Sequence, residues 1–132
     1  MTANGVLLRF SCQNGEQYDN IGAFWDYMAG FYPIETLSGI GFGWKDDSLS
    51  YLIGWVDQEP LSLPETLQAD YPQAQAARID LPDSGWLTYD CRTDGLDEAY
   101  DQIYRDGPLD YEIERFDGSG NCRLLVFRAP KK

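Results

Sequence analysis

Residues 6 to 12, VLLRFSC, alternate so that Val6, Leu8, Phe10 and Cys12 fall on one face of a strand. After the turn-rich NGEQYDN, apolar residues recur as Ile21, Phe24, Trp25 and Met28. This i, i+3, i+4, i+7 spacing predicts one buried helical stripe, with Asn20 as N-cap and a stop near Gly30, before Pro33. Residues 37–44 and 48–56 then predict two strands joined through Lys45, Asp46 and Asp47. In the first of them Gly39, Gly41 and Gly43 share one face, and Ile40, Phe42 and Trp44 the other. Three glycines on one strand face imply that something approaches the backbone closely, either a packed helix or a ligand. In the second strand Leu49, Tyr51, Ile53 and Trp55 share a face.

Residues 57–73 carry three prolines and little periodicity, and read as a connection over the surface. Short strands are expected at 74–80 and 85–91, around the turn LPDSG. A second helix follows, capped by Thr93 or Asp94, with Asp97 and Glu98 in its first turn where the helix dipole favours anions. Its stripe is Leu96, Ala99, Tyr100, Ile103 and Tyr104, and Gly107-Pro108 stops it. Residues 111–116 and 122–129 complete the chain as a hairpin across DGSGN. The order of elements predicts a single α+β domain over residues 1–132. It is built of two similar strand-helix-strand-strand halves, about 6–57 and 74–130, joined by the connection 58–73. Hairpins with helices at long intervals favour an antiparallel sheet carrying both helices on one face.

Composition narrows what such a domain can do. Twenty-two acidic residues against ten basic ones give a net charge of −12. Nucleic acid and anionic membranes are thereby disfavoured, since both require Lys and Arg to displace counterions. The chain has no histidine, which removes Ser-His and Cys-His nucleophile pairs and nearly every catalytic zinc pattern. Cys12, Cys91 and Cys122 are odd in number and widely spaced, matching neither a disulfide framework nor a metal knuckle. Any catalysis would have to run on carboxylates, tyrosines or thiols; no cofactor or metal is expected, and no catalytic residue is assigned. MTANGVLLRF does not read as a signal peptide, and no apolar stretch approaches the ~20 residues of a membrane span. The expected location is the cytoplasm, as a monomer or weak homodimer. Four Trp, nine Tyr and six Phe make an unusually aromatic chain. They serve either an aromatic core or a pocket which, with acidic side chains, would suit a flat or cationic ligand.

GIGFGWKDDSLSYLIGWV resembles the segment of GyrI-like small-molecule-binding domains in which a Gly-rich strand leads through an acidic turn to a Tyr and an apolar-Gly pair. LPDSGWLTYDCRTDGLDEAYDQIYRD is similar to that family's second-half signature, through Pro82, Gly85, Tyr89, Leu96, Ala99, Tyr100 and Tyr104. The terminal RLLVFRAPKK resembles its closing strand. The resemblance spans about residues 6–130. It implies a duplicated, curved antiparallel sheet with a ligand cleft between the halves, as in the effector-binding domains of AraC- and MerR-type multidrug-responsive activators. It further implies lipophilic, often cationic and aromatic ligands that meet a central glutamate flanked by aromatics. The matching residue is Glu114, with Phe116 on the same strand face. The segment before it is shorter than in the family, and a slip of register would make Glu112 the equivalent.

A carboxylate among aromatics is costly unless a cation compensates it, and an organic cation stacked on Trp or Tyr adds about 0.5–2 kcal/mol per good contact. Trp25, Tyr51, Trp55 and Tyr89 are the other candidate ligand-binding residues. The pleat lets only one of Trp86 and Tyr89 point inward, and the resemblance implies Tyr89, where the family places an aromatic residue. Tyr100 and Tyr104 read as packing residues, and Cys91 and Cys122 as small buried hydrophobes. The expected function is a stand-alone module, not an enzyme, that binds lipophilic cationic small molecules. Two alternatives are a hydrolase of strained electrophiles using Glu114 and Tyr89, and an acidic modulator of DNA gyrase; a transcription factor or gyrase is the expected protein partner.

Overall fold

In a computed structural model, which describes residues 1–59 and 61–129, seven strands form one open antiparallel sheet with three helices, an α+β arrangement. The strands are β1 (Thr2–Ser11), β2 (Ser38–Lys45), β3 (Ser48–Val56), β4 (Gln75–Asp80), β5 (Leu87–Arg92), β6 (Tyr111–Phe116) and β7 (Asn121–Phe127). The helices are α1 (Glu16–Ala29), the single turn α2 (Leu67–Asp70) and α3 (Leu96–Arg105). Strand order across the sheet is β4-β1-β3-β2-β6-β7-β5. Among the described residues no helix is long and apolar enough to cross a membrane. Pro130, Lys131 and Lys132, the close of the last expected strand and its flanking lysines, lie outside the described residues, as does Pro60 in the connection.

The expected elements form, with three physical corrections. First, α1 begins at Glu16, with Gly15 in the left-handed region as its N-cap, so Asn20 lies inside the helix. Likewise Thr93 and Asp94 make a 3-10 turn before α3, and no side chain caps either helix. Second, the strands flanking LPDSG stand at opposite edges of the sheet. β4 pairs with β1 (Thr2 opposite Asp80) and β5 with β7 (Leu87 opposite Val126). Residues 81–86 cross the face away from the helices, where Leu81 and Trp86 pack over Ile40, Leu52 and Ile113.

Third, the β2–β3 hairpin is not a plain ladder. Asp46 and Asp47 both take positive φ, at 51° and 58°, as a two-residue turn of the twist-matching kind requires. The register also shifts between Phe42 and Lys45, where Gly43 sits at φ +64°. Such a bulge turns the next side chain to the other face. Trp44, expected beside Ile40 and Phe42, packs instead with the cores on the helix side.

Both long helices cover one sheet face. Under α1 lie Val6, Leu8, Phe10, Leu49, Tyr51 and Ile53, and the stripe of Phe24, Trp25 and Met28 is buried against them as predicted. Under α3 lie Cys122, Leu124 and Val126, against Tyr100 and Ile103. Two transverse rows of paired residues connect these cores. One runs Val6, Ile53, Gly39, Glu114, Leu124, Tyr89, and the other Leu8, Tyr51, Gly41, Glu112, Val126, Leu87. At the centre of each row a glycine stands beside a glutamate.

The glycines are there because side chains from neighbouring elements occupy their space. A Cβ on Gly39 would lie 2.1 Å from Tyr51 Oη and 2.7 Å from the Trp25 ring, and one on Gly41 would lie 2.7 Å from Glu112 Oε1. Replacing Gly39 by Ala forces a buried hydroxyl and an indole to shift, at an expected cost of about 1–3 kcal/mol. Gly22→Ala in α1 meets nothing within 4 Å and is expected to gain about 0.5–1 kcal/mol. Urea denaturation of both variants checks this pair, and equal effects would contradict it.

Candidate functional site

Over the central glycine-glutamate rows, between α1 and α3, lies a cavity of about 240 Å³. Its floor is Glu112 and Glu114 of β6. Gln17, Tyr18, Ile21 and Trp25 line it from α1, Leu96, Tyr100 and Tyr104 from α3, and Trp44, Leu49 and Phe116 close its sides. Among the described residues no Lys or Arg lines it, whereas Asp97 adds a third acid. Strand alternation explains the floor. Residues 112, 114 and 116 share a face, and that face is the one the helices cover.

Both glutamates are buried, at 5% and 7% exposure. Among the described residues neither has a cationic partner. Arg123, the candidate neighbour on β7, pairs with exposed Asp90 at 2.8 Å, and Arg115 donates to Ser38 on the opposite face. What the carboxyls have instead are hydroxyls. Tyr51 Oη donates to Glu114 Oε1 and itself accepts from Trp25 Nε1 at 2.9 Å. Tyr104 Oη donates to Glu112 Oε2 over a long 3.4 Å. The Tyr100 hydroxyl approaches Glu114 without reaching hydrogen-bond geometry, and with Gln17 Oε1 it is a buried polar atom at the cavity wall lacking a partner.

β3 and β6 flank β2, so their backbones stand about 9.6 Å apart. Tyr51 bridges that distance because Gly39 presents no side chain. The tyrosine is in register with Gly41 and Glu112, yet its hydroxyl lies over Gly39 beside Glu114, one pleat further on.

Burial raises the affinity of both carboxyls for protons. Glu112 is pushed well above the usual carboxylate range by burial and then by its charged neighbour Glu114, against which the Tyr104 hydroxyl acts weakly. Glu114 is also raised by burial, but the Tyr51 and Tyr100 hydroxyls oppose the shift. The two carboxyls are neighbours on one strand face, so the raised proton affinity belongs to the pair. Tyr51, Tyr100 and Tyr104 are all raised, chiefly by burial and then by the neighbouring glutamates, and remain neutral donors.

Of the seven residues singled out from sequence, Glu112, Glu114, Trp25 and Phe116 meet at this cavity, with the Trp25 and Phe116 rings edge-to-face at 4.8 Å. Tyr51 lies beneath them, fully buried, and acts on the cavity through Glu114. Trp55 is misplaced by the sequence reading. It lies four residues along β3 from Tyr51, about 13 Å away, beyond the first residue of β2. There it packs edge-on against Tyr32 at 5.0 Å in the core. Tyr89 does face the helix side, but on the edge strand β5, where it packs into the core beneath α3 rather than at the cavity. Trp86 faces the opposite side, with Tyr111 and Phe127. Sequence reasoning missed Trp44, Tyr18 and the cavity-facing role of Tyr100 and Tyr104.

Three ligating side chains of His, Cys, Asp or Glu gather nowhere among the described residues in a metal-holding arrangement. A wider depression of about 620 Å³ lies elsewhere, around Asp90, Cys91, Arg115, Cys122 and Arg123. Phe116 lines both.

Carboxyls whose folded pKa is raised contribute stability below their unfolded value near 4.5. That contribution is lost as pH climbs through the folded value. Glu112→Gln keeps the shape and cannot ionise, so its stability relative to wild type is expected to rise between about pH 5 and about pH 8, by up to about 1.4 kcal/mol per pH unit. Urea denaturation across that range measures the difference, and a pH-independent difference would refute the assignment.

Comparison with family models, with curated proteins and with solved structures finds no match to this chain.

Proposed function

We propose that this protein binds small lipophilic organic cations in the cavity between α1 and α3, with Glu114 and Glu112 supplying the charge and Trp25, Trp44, Phe116, Tyr18 and Tyr104 the apolar and π surface. The observation that carries the reading is the pair of buried carboxyls on the floor of an aromatic cavity with no basic side chain among the described residues of its lining. A buried carboxyl without a counter-ion stays protonated or acquires a cation. A ligand that brings the positive charge lets one acid ionise and places that charge among rings, where each good contact adds about 0.5–2 kcal/mol. The unpartnered Gln17 Oε1 and Tyr100 Oη offer polar contacts as well. At about 240 Å³ the cavity lies just below the usual pocket range, so the first ligands to test are single-ring cations.

The reading also treats the chain as a duplicated, GyrI-like domain. Support comes from the order of elements, since β1-α1-β2-β3 and β5-α3-β6-β7 follow the same plan. In each, the last strand lies between the first and the middle one, and the two middle strands, β2 and β6, pair at the centre. The second half then begins at β5, residue 87 rather than 74, with β4 as an addition to the edge of the first. The expected curvature is supported by the crossing of residues 81–86. Seven residue steps reach about 25 Å, whereas a flat sheet would separate β4 from β5 by about 29 Å.

A second reading, hydrolysis of an electrophile, draws on the protonated Glu112 beside Tyr104. A carboxylic acid neutral near pH 7 is a competent general acid. Turnover of a strained electrophile, lost in Glu112→Gln, would favour it.

Phenyltrimethylammonium and its uncharged isostere tert-butylbenzene separate charge from shape. The cation is expected to bind at least tenfold more tightly, about 1.4 kcal/mol, with Glu114→Gln removing most of that preference. Equal affinities for the two compounds, by competition or calorimetry, would sink the proposal.

A further inference from the structure

We propose that Cys91 and Cys122 form a two-thiol binding site for a soft, thiophilic trivalent centre, of which a monosubstituted arsenical, R–As=O, is the representative. The site is separate from the acidic cavity and does not depend on its function.

Cys91 of β5 and Cys122 of β7 are directly opposed in the antiparallel ladder, so both side chains project from the helix-covered face. The thiols are close enough that each perturbs the other's ionisation. Cys91 is half-buried and Cys122 buried, so a reagent meets Cys91 first and closes onto Cys122.

Ladder geometry favours an inserted atom over a direct disulfide. Opposed residues on antiparallel strands hold their Cβ atoms about 4.5–5.5 Å apart, whereas a disulfide draws them to about 3.8 Å. A bridging atom lengthens the link by one bond and leaves the strands in place. Cys12 lies at the far end of β1 in the other core cluster and is not a third ligand. Two thiols are too few for a closed zinc site, but they complete a trivalent centre that already carries one organic substituent.

The chemistry balances without an oxidant. Two As–S bonds form, the As=O bond breaks, and both thiol protons leave with the oxygen as water, arsenic remaining trivalent. Burial holds both thiols above their ordinary ionisation range. They therefore react slowly as single thiolate nucleophiles, and the gain lies in closing the second bond. The substituent R stands on the helix side beside Phe116, whose position opposite Cys122 and edge-on to Trp25 sets it one side chain from the acidic cavity.

The test is intact-mass spectrometry after exposure to phenylarsine oxide. The wild type is expected to retain one phenylarsenic group per chain, resistant to excess 2-mercaptoethanol and released by dimercaptopropanol. Cys91→Ser and Cys122→Ser should each lose at least tenfold of the monothiol-resistant adduct, while Cys12→Ser keeps it. Circular dichroism identifies a variant that fails to fold. Should Cys122→Ser be one, the half-buried Cys91→Ser decides alone. A wild-type adduct stripped by the monothiol, or one equally resistant in Cys91→Ser, would overturn the proposal.

Discussion

Two carboxyl groups, Glu112 and Glu114, share one strand face about 6.6 Å apart along the chain, buried under two helices with no cation beside them among the described residues. Were both ionised, their repulsion at an effective dielectric near 20 would be about 2–3 kcal/mol, in addition to the desolvation that already raises both. The pair therefore holds at least one proton at neutral pH, and it titrates as a unit. Every other feature of the site either tolerates that arrangement or answers it.

The glycines of β2 make it possible. Glu112 fills the space above Gly41, and Tyr51 passes over Gly39 to reach Glu114 from two strands away. Trp25 of α1 donates to the same tyrosine. One helix, two flanking strands and the bare central strand are thereby tied together by a short chain of hydrogen bonds, Trp25 to Tyr51 to Glu114. Cooperativity of such buried networks is greatest when every member is satisfied. Here Tyr100 Oη and Gln17 Oε1 are left over, and both lie at the cavity wall. Two of the four unpartnered buried side-chain atoms among the described residues therefore stand where a ligand would meet them, while Trp55 Nε1 and Arg128 Nε lie elsewhere.

Much of this was legible from periodicity. The shared face of Glu112, Glu114 and Phe116, the α1 stripe and the glycine row of β2 follow from periods of two and 3.6 alone. What periodicity could not carry was register. The bulge at Gly43 moved Trp44 across the sheet to the cavity, although a glycine three residues before the turn Asp46-Asp47 was an available signal. Trp55 shares Tyr51's face, but the point at which β2 begins places it away from the cavity. The helical stripe predicts packing for Tyr100 and Tyr104, because it indicates which side is covered, not whether a gap lies beneath it. Tyr104 in fact keeps 40% exposure while its hydroxyl turns to Glu112. The placement of β4 against β1 depends on a long-range pairing that no local pattern encodes.

The central claim is that a proton shared by Glu112 and Glu114 occupies the place of a positive charge that the described residues do not provide. Calorimetric titration of phenyltrimethylammonium at neutral pH, in two buffers of different ionisation enthalpy, measures the protons exchanged on binding. The account predicts net release of about one proton per cation bound, abolished in Glu112→Gln. Binding with the same heat in both buffers would contradict it.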